Sequence, residues 1–357
     1  MLGRWSATNI KIALIALFSG GALVGCGGET PPQDDASTSP LPERCDEATA
    51  LFPVAPLLER PDHPCHGLLS RTYGRAVKGG ASGSASVWTR ATPFGTAIVA
   101  SAAHVLKGFD ADDADSPPTL FNPENEPGFL FVRLPESGAG GADSQASASF
   151  LLFHPAIPAD QKRDGYSHIL PRRDFFLLAA DGQLLSTDPA PGVPEPIQPT
   201  SPPLHDPDGL TETPPTWADA ESGDLELMIG YPASPPEGGD MAAAVGRVLS
   251  EEEIETALAA LADAGDEEGS VAYDPEAEFI LEGSAAVGMS GGGVYDRDGR
   301  QTGILVRAST TEGAPSIVRA VRMRWVISAL KTTYNALSQE ARDAVKPYLE
   351  ETIDDAR

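Results

Sequence analysis

Apolar residues along the chain come in short blocks, each closed by Gly, Pro, Asp or Ser, and that rhythm predicts strands. Ser86–Thr89, Thr96–Val99, Gly128–Val132, Phe150–Phe153 and Asp174–Leu178 form a first set. Leu225–Gly230, Ala243–Val248 and Glu278–Leu281 continue the series. Gly293–Tyr295 and Gly303–Val306 stand either side of Asp298-Gly299, a hairpin signal. So many strands without long intervening helices point to an all-β chain of barrels or sandwiches. Two segments break the rhythm. In 250–264, Ser250 and Glu253 make a capping box and Ile254, Leu258 and Leu261 share one face, which predicts an acidic amphipathic helix. Residues 323–346 read as a C-terminal helix, with Pro347 near its end. Stretches 107–126 and 136–148 read as loops, and the proline-dense 186–221 as an irregular insertion.

Composition narrows the function classes. With 52 acidic against 25 basic residues the net charge is −27, which excludes a nucleic-acid binder, since phosphate recognition needs clustered Lys and Arg. A hydrophobic fraction of 41% suffices for a core, while 36 Gly and 33 Pro suit strands joined by long loops. Arg4 and Lys11 lead into an apolar run from Ile12 to Val24 that is short for a bilayer and ends in small residues. Residues 1–25 therefore read as a signal peptide. Leu23-Val24-Gly25-Cys26 resembles the lipobox of bacterial lipoproteins, which implies acylation of Cys26 and anchoring in the lipid bilayer by lipid alone. An ordinary signal peptide with an incidental Cys is the alternative. Gly27 in place of Asp implies, by the same resemblance, the outer membrane of a Gram-negative envelope. Residues 26–44 read as the lipidated Cys and a flexible tether, 45–335 as the folded domain and 336–357 as a helical tail.

Cys45 and Cys65 remain as a pair in an exported chain and are expected to bridge. His63 and His66 flank Cys65 but lack the second ligand pair of a zinc site. The acidic run Asp110–Asp115 lacks the Gly and Glu of a calcium loop. No metal and no cofactor are expected, and the sequence does not fix an oligomeric state.

Three spots carry chemistry. Ser101-Ala102-Ala103-His104 follows an apolar strand, and its tiny residues let an imidazole approach neighbouring strands. Gly288-Met289-Ser290-Gly291-Gly292 surrounds a hydroxyl with residues that permit an unusual backbone path and leave amides unobstructed. Asp174 opens an apolar strand, where a buried carboxylate needs a partner. Acyl transfer needs this set: a hydroxyl, an imidazole to take its proton, and a carboxylate to orient the imidazole. Asp164 and Asp181 are alternatives for the carboxylate.

In these motifs, and in their order His104, Asp174, Ser290, the chain resembles the trypsin-like (chymotrypsin-fold) serine peptidases of bacterial type. Gly303–Val306 matches the strand after the nucleophile, and Gly230-Tyr231-Pro232 resembles a segment of bacterial members. The resemblance covers roughly 75–333 and implies two six-stranded antiparallel β-barrels with an active site between them, a C-terminal helix and long loop insertions. It implies a polypeptide substrate, with Ser290 as nucleophile, His104 as base and then acid, Asp174 as orienter, and the amides of Gly288 and Ser290 as oxyanion hole. It further implies that Ser284 lies at the base of the primary pocket, with Val306 and Ala308 on its wall. Met289 replaces the Asp that, in trypsin itself, pairs with a freed N-terminus, so activation by cleavage is not supported here. Arg307 is expected to be solvated. Two other readings use the same residues: a catalytically inactive binding module at the envelope, and an esterase.

Overall fold

The structure is a computed structural model. It describes residues 41–47, 49–73, 76–79, 83–90, 96–105, 119–120, 129–133, 145–155, 157–158, 161, 169–181, 217–340 and 342–343, all within the unit Thr38–Arg357. The signal segment 1–25, Cys26, most of the tether, most of the insertions, Asp164 and most of the tail lie outside the described residues.

Alternation of apolar and small residues produces strands from both halves of the chain. The first sheet contains β2 (Ala76–Gly79), β3 (Gly83–Arg90), β4 (Thr96–Ser101), β5 (Thr119–Leu120), β6 (Phe129–Arg133), β7 (Gln145–His154) and β8 (Phe176–Asp181). Their order is β5-β7-β6-β2-β3-β4-β8, and β7 also pairs with β8. The second sheet contains β1 (Phe52–Pro53), β9 (Leu225–Gly230), β10 (Ala242–Val248), β11 (Glu278–Glu282), β12 (Gly293–Tyr295), β13 (Gln301–Ala308) and β14 (Ile317–Arg322). Its order is β1-β10-β11-β14-β13-β12-β9, and a β9–β10 pairing closes six of these strands into a barrel. The chain is thus mostly β, as the hydrophobic rhythm predicts, and contains a closed six-stranded barrel.

The helices include two short ones ahead of the first sheet, α1 (Ala55–Leu58) and α2 (His66–Thr72), which the sequence reading missed. They pack Leu57, Leu58 and Leu69 against Ile229 and Val245 on the outside of the barrel. The acidic helix α3 (Glu251–Asp263) carries the expected capping box and buries Ile254 and Leu261. The C-terminal helix α4 (Met323–Ala336) begins where expected but ends at Ala336, ten residues short of the expected 346, with Leu337 as an extended C-cap. Residues 145–148, read as loop from their small polar residues, belong to β7 instead, because pairing with β6 satisfies their backbone.

Strand alternation divides β13 between two cores. Leu305 points into the barrel with Met228, Phe279 and Met289. Ile304 and Val306 point outward to join Ile98, Ala100 and Leu177 of the first sheet and Val326 and Leu330 of α4. That shared core fixes the two sheets against each other, each buried aliphatic contributing about 1.5–3 kcal/mol.

Cys45 and Cys65 do not bridge in this structure. They are free thiols sharing a hydrogen bond that lowers the Cys45 pKa and, together with burial, raises that of Cys65. Hydrogen-bonded sulfurs stand farther apart than the ~2.05 Å of a disulfide.

Candidate active site

The local fold places His104 and Asp174 by two short turns. β4 ends at Ser101, and Ala103–Val105 form a 3-10 turn that carries His104. Ala102 and Ala103 are buried, so their small side chains let the turn sit tightly against the sheet. Pro171–Arg173 form a second 3-10 turn with Asp174 at its end. Trp325 of α4 donates its indole N–H to the Arg172 carbonyl (2.8 Å) and ties this turn to the C-terminal helix.

The two residues grip each other twice. The His104 amide donates to Asp174 Oδ1 (2.9 Å), and His104 Nδ1 lies 2.7 Å from Asp174 Oδ2. A carboxylate only accepts, so Nδ1 carries the proton and the neutral imidazole keeps a lone pair at Nε2. Asp174 is 1% exposed, whereas the His104 side chain keeps 26% of its surface. Burial opposes the imidazolium, but the charge of Asp174 and its hydrogen bond outweigh burial and the opposing charge of Arg307, so the His104 pKa is raised above the usual value.

His104 lines a cleft of about 900 Å³ that Ser290 also lines. The loop carrying Ser290 has a defined backbone. The Val287 carbonyl accepts from the Ala233 amide (2.6 Å), and the Met289 carbonyl accepts from the Gly292 amide (2.8 Å). A trans peptide sets its C=O and N–H on opposite sides, so the amides of Gly288 and Ser290 point away from those contacts. Neither donates to another group among the described residues. Gly288 has φ +98°, and a Cβ there would stand 2.7 Å from the Ala233 nitrogen and the Tyr231 oxygen, so only Gly keeps this path. Met289 is 1% exposed and fills the barrel beneath the loop.

The remaining wall combines Ala285, Ala286, Val306, Ala308 and Val318 with the exposed Glu267 and with Asp266, Glu268 and Arg307, whose charges have partners. Ser284, the expected pocket base, is not part of this lining, while Val306 and Ala308 are. Arg307 is not solvated as expected: its side chain is 13% exposed and pairs through Nε with Glu268 (2.6 Å). Glu268 also faces the fully buried Arg319 (3.0 Å). Asp266 accepts from the amides of Glu268, Thr310 and Thr311. No group of three or more His, Cys, Asp or Glu among the described residues is placed to hold a metal ion. Glu268 and Asp266 escaped the sequence reading because their partners Arg307, Thr310 and Arg319 lie 39 to 51 residues away.

No family model matches the chain, and no curated protein does. Among solved structures, one titled "Crystal structure of Rv3671c protease, inactive form" aligns with it at 15% identity, covering 74% of this chain and 91% of that one, with a TM-score of 0.36.

Proposed function

We propose that the protein is an exported, lipid-anchored serine endopeptidase of trypsin-like type. The observation that carries this reading is the doubly hydrogen-bonded His104–Asp174 pair on a cleft that Gly288 and Ser290 also line, with the amides of these two donating to no described group. The β7–β8 pairing, which joins the two ends of the run β7-β6-β2-β3-β4-β8, supports reading the two sheets as the paired barrels of that fold. The N-terminal lipobox resemblance supports acylation at Cys26 and an envelope location.

In this reading Ser290 Oγ attacks the scissile carbonyl carbon while His104 Nε2 takes the hydroxyl proton. Asp174 keeps the imidazole in the required tautomer and stabilises the imidazolium. The amides of Gly288 and Ser290 receive the oxyanion, contributing most where charge develops. The C–N bond breaks as His104 returns the proton to the leaving amine, and a water repeats the cycle on the acyl-enzyme. The apolar wall, with Asp266 and Glu268 already engaged, supports a neutral small-to-medium apolar residue at the cleavage point.

Replacing Ser290 tests the assignment. Ser290→Ala should abolish peptide hydrolysis by the purified protein at unchanged melting temperature. Hydrolysis at the wild-type rate by that variant overturns the reading.

A further inference from the structure

A loop that lacks the Asp–amine ion pair needs another restraint, and the hydrogen bonds around β3 supply one. Ser84 is fully buried in β3, on the sheet opposite the Ser290 loop. Its hydroxyl donates to the Gly288 carbonyl (2.7 Å) and accepts from the Tyr231 amide (2.7 Å). Its own amide donates to the Ser290 carbonyl (2.8 Å). Its carbonyl accepts from the Ser101 hydroxyl (2.7 Å), three residues before His104. Four contacts thus converge on one residue, from both ends of the Gly288–Ser290 tripeptide, from the segment after β9, and from the strand that delivers His104.

We propose that Ser84 is a positioning residue that holds the oxyanion loop in its amide-out form without any cleavage event; this rests on the hydrolase reading above. The Ser84 hydroxyl fixes the Gly288 carbonyl, and hence the Gly288–Met289 peptide, while the Ala233 amide fixes the Val287–Gly288 peptide on its other side. With both flanking peptides pinned, the Gly288 amide is held pointing away from Ala233. The surroundings leave little slack: a Cβ on Gly291 would stand 2.1 Å from the Ser84 carbonyl oxygen, and one on Gly230 2.9 Å from its hydroxyl. Because Ser84 belongs to the first sheet and the loop to the second, this restraint exists only when the two sheets are docked.

The test compares the wild type with Ser84→Ala and the near-isosteric Ser84→Cys, a weak donor. The readouts are the rate of fluorophosphonate labelling at Ser290 across pH, kcat and KM on a peptide ester, and the melting temperature. Each variant is expected to fold and to label about 10- to 100-fold more slowly, approaching the loss seen when one oxyanion donor is removed. KM should stay within about twofold, as binding does not use the oxyanion. The pH midpoint should not move, because the His104–Asp174 pair is untouched. Labelling of both folded variants at the wild-type rate overturns the proposal while leaving the hydrolase reading standing. Loss of fold in both variants also overturns it, because a positioning residue leaves a folded, slow enzyme. A wild type that never labels at Ser290 removes the hydrolase reading and this inference together.

Discussion

The barrel under the Ser290 loop carries a buried acid whose charge state should be visible in stability. Glu226 of β9 is fully buried, with Thr302 donating to its Oε2 (2.8 Å) and no partner at Oε1 among the described residues. Burial pushes its pKa to about 8; the Thr302 bond and Arg300 offset only part, and Asp296 and Asp224 add to the rise. Unfolded, the carboxyl ionises near 4.3. The folded state therefore holds a proton that the unfolded state releases, so stability is lost as pH rises from about 4.3 to about 8. At about 1.4 kcal/mol per pH unit the span is worth about 4 kcal/mol between pH 5 and pH 9, a large share of a domain's total. Glu278, raised to about 7 chiefly by burial, slopes the same way, so the comparison must be with a variant. Glu226→Gln keeps shape and polarity without a titrating proton. Urea unfolding at pH 5 should give it about wild-type stability, and at pH 9 a gain of about 4 kcal/mol over wild type. Equal slopes for wild type and variant across this range would refute the reasoning, since Glu226 would then be ionised in the folded barrel.

Other outcomes follow from the site. Asp174→Asn should cut kcat/KM by about 10⁴, the loss expected when the imidazole takes the wrong tautomer; a loss under tenfold on a peptide substrate contradicts the orienting role. The acid limb of the wild-type kcat/KM profile should lie above pH 6.5, because Asp174 raises the His104 pKa and the neutral base is lost as pH falls. Arg307→Met should move that limb to higher pH, since the Arg307 charge opposes imidazolium formation; a shift to lower pH contradicts this. Oxidising the neighbouring Cys45 and Cys65 thiols should stabilise the fold by roughly 3 kcal/mol through loop closure, read as a higher melting temperature than under reductant, and Cys65→Ser should not respond.

Legibility in the sequence followed how local each signal was. Leu225–Gly230 and Gly293–Tyr295 were read with their observed limits, because apolar runs bounded by turn residues encode a strand within a few positions. The capping box of α3 is equally local. His104 and Asp174 were legible through their motifs, and the structure joins them across 70 residues. Ser84 carried no signal: its partner Gly288 lies 204 residues away, and a Ser in a strand of small residues looks ordinary. The expectation for Arg307 failed for a related reason, as an Arg beside a cleft reads as solvated until Glu268 is brought to it. Ser284 is placed at the pocket base only by the family resemblance, and the cleft is lined by its neighbours Ala285 and Ala286 instead.

In the proposed mechanism His104 activates Ser290. Reaction of the purified protein with a fluorophosphonate probe, followed by mass mapping of the label, tests it directly. Label is expected on Ser290 in the wild type and none in His104→Ala. Folded wild-type protein that stays unlabelled, or a His104→Ala variant labelled equally fast, would contradict it.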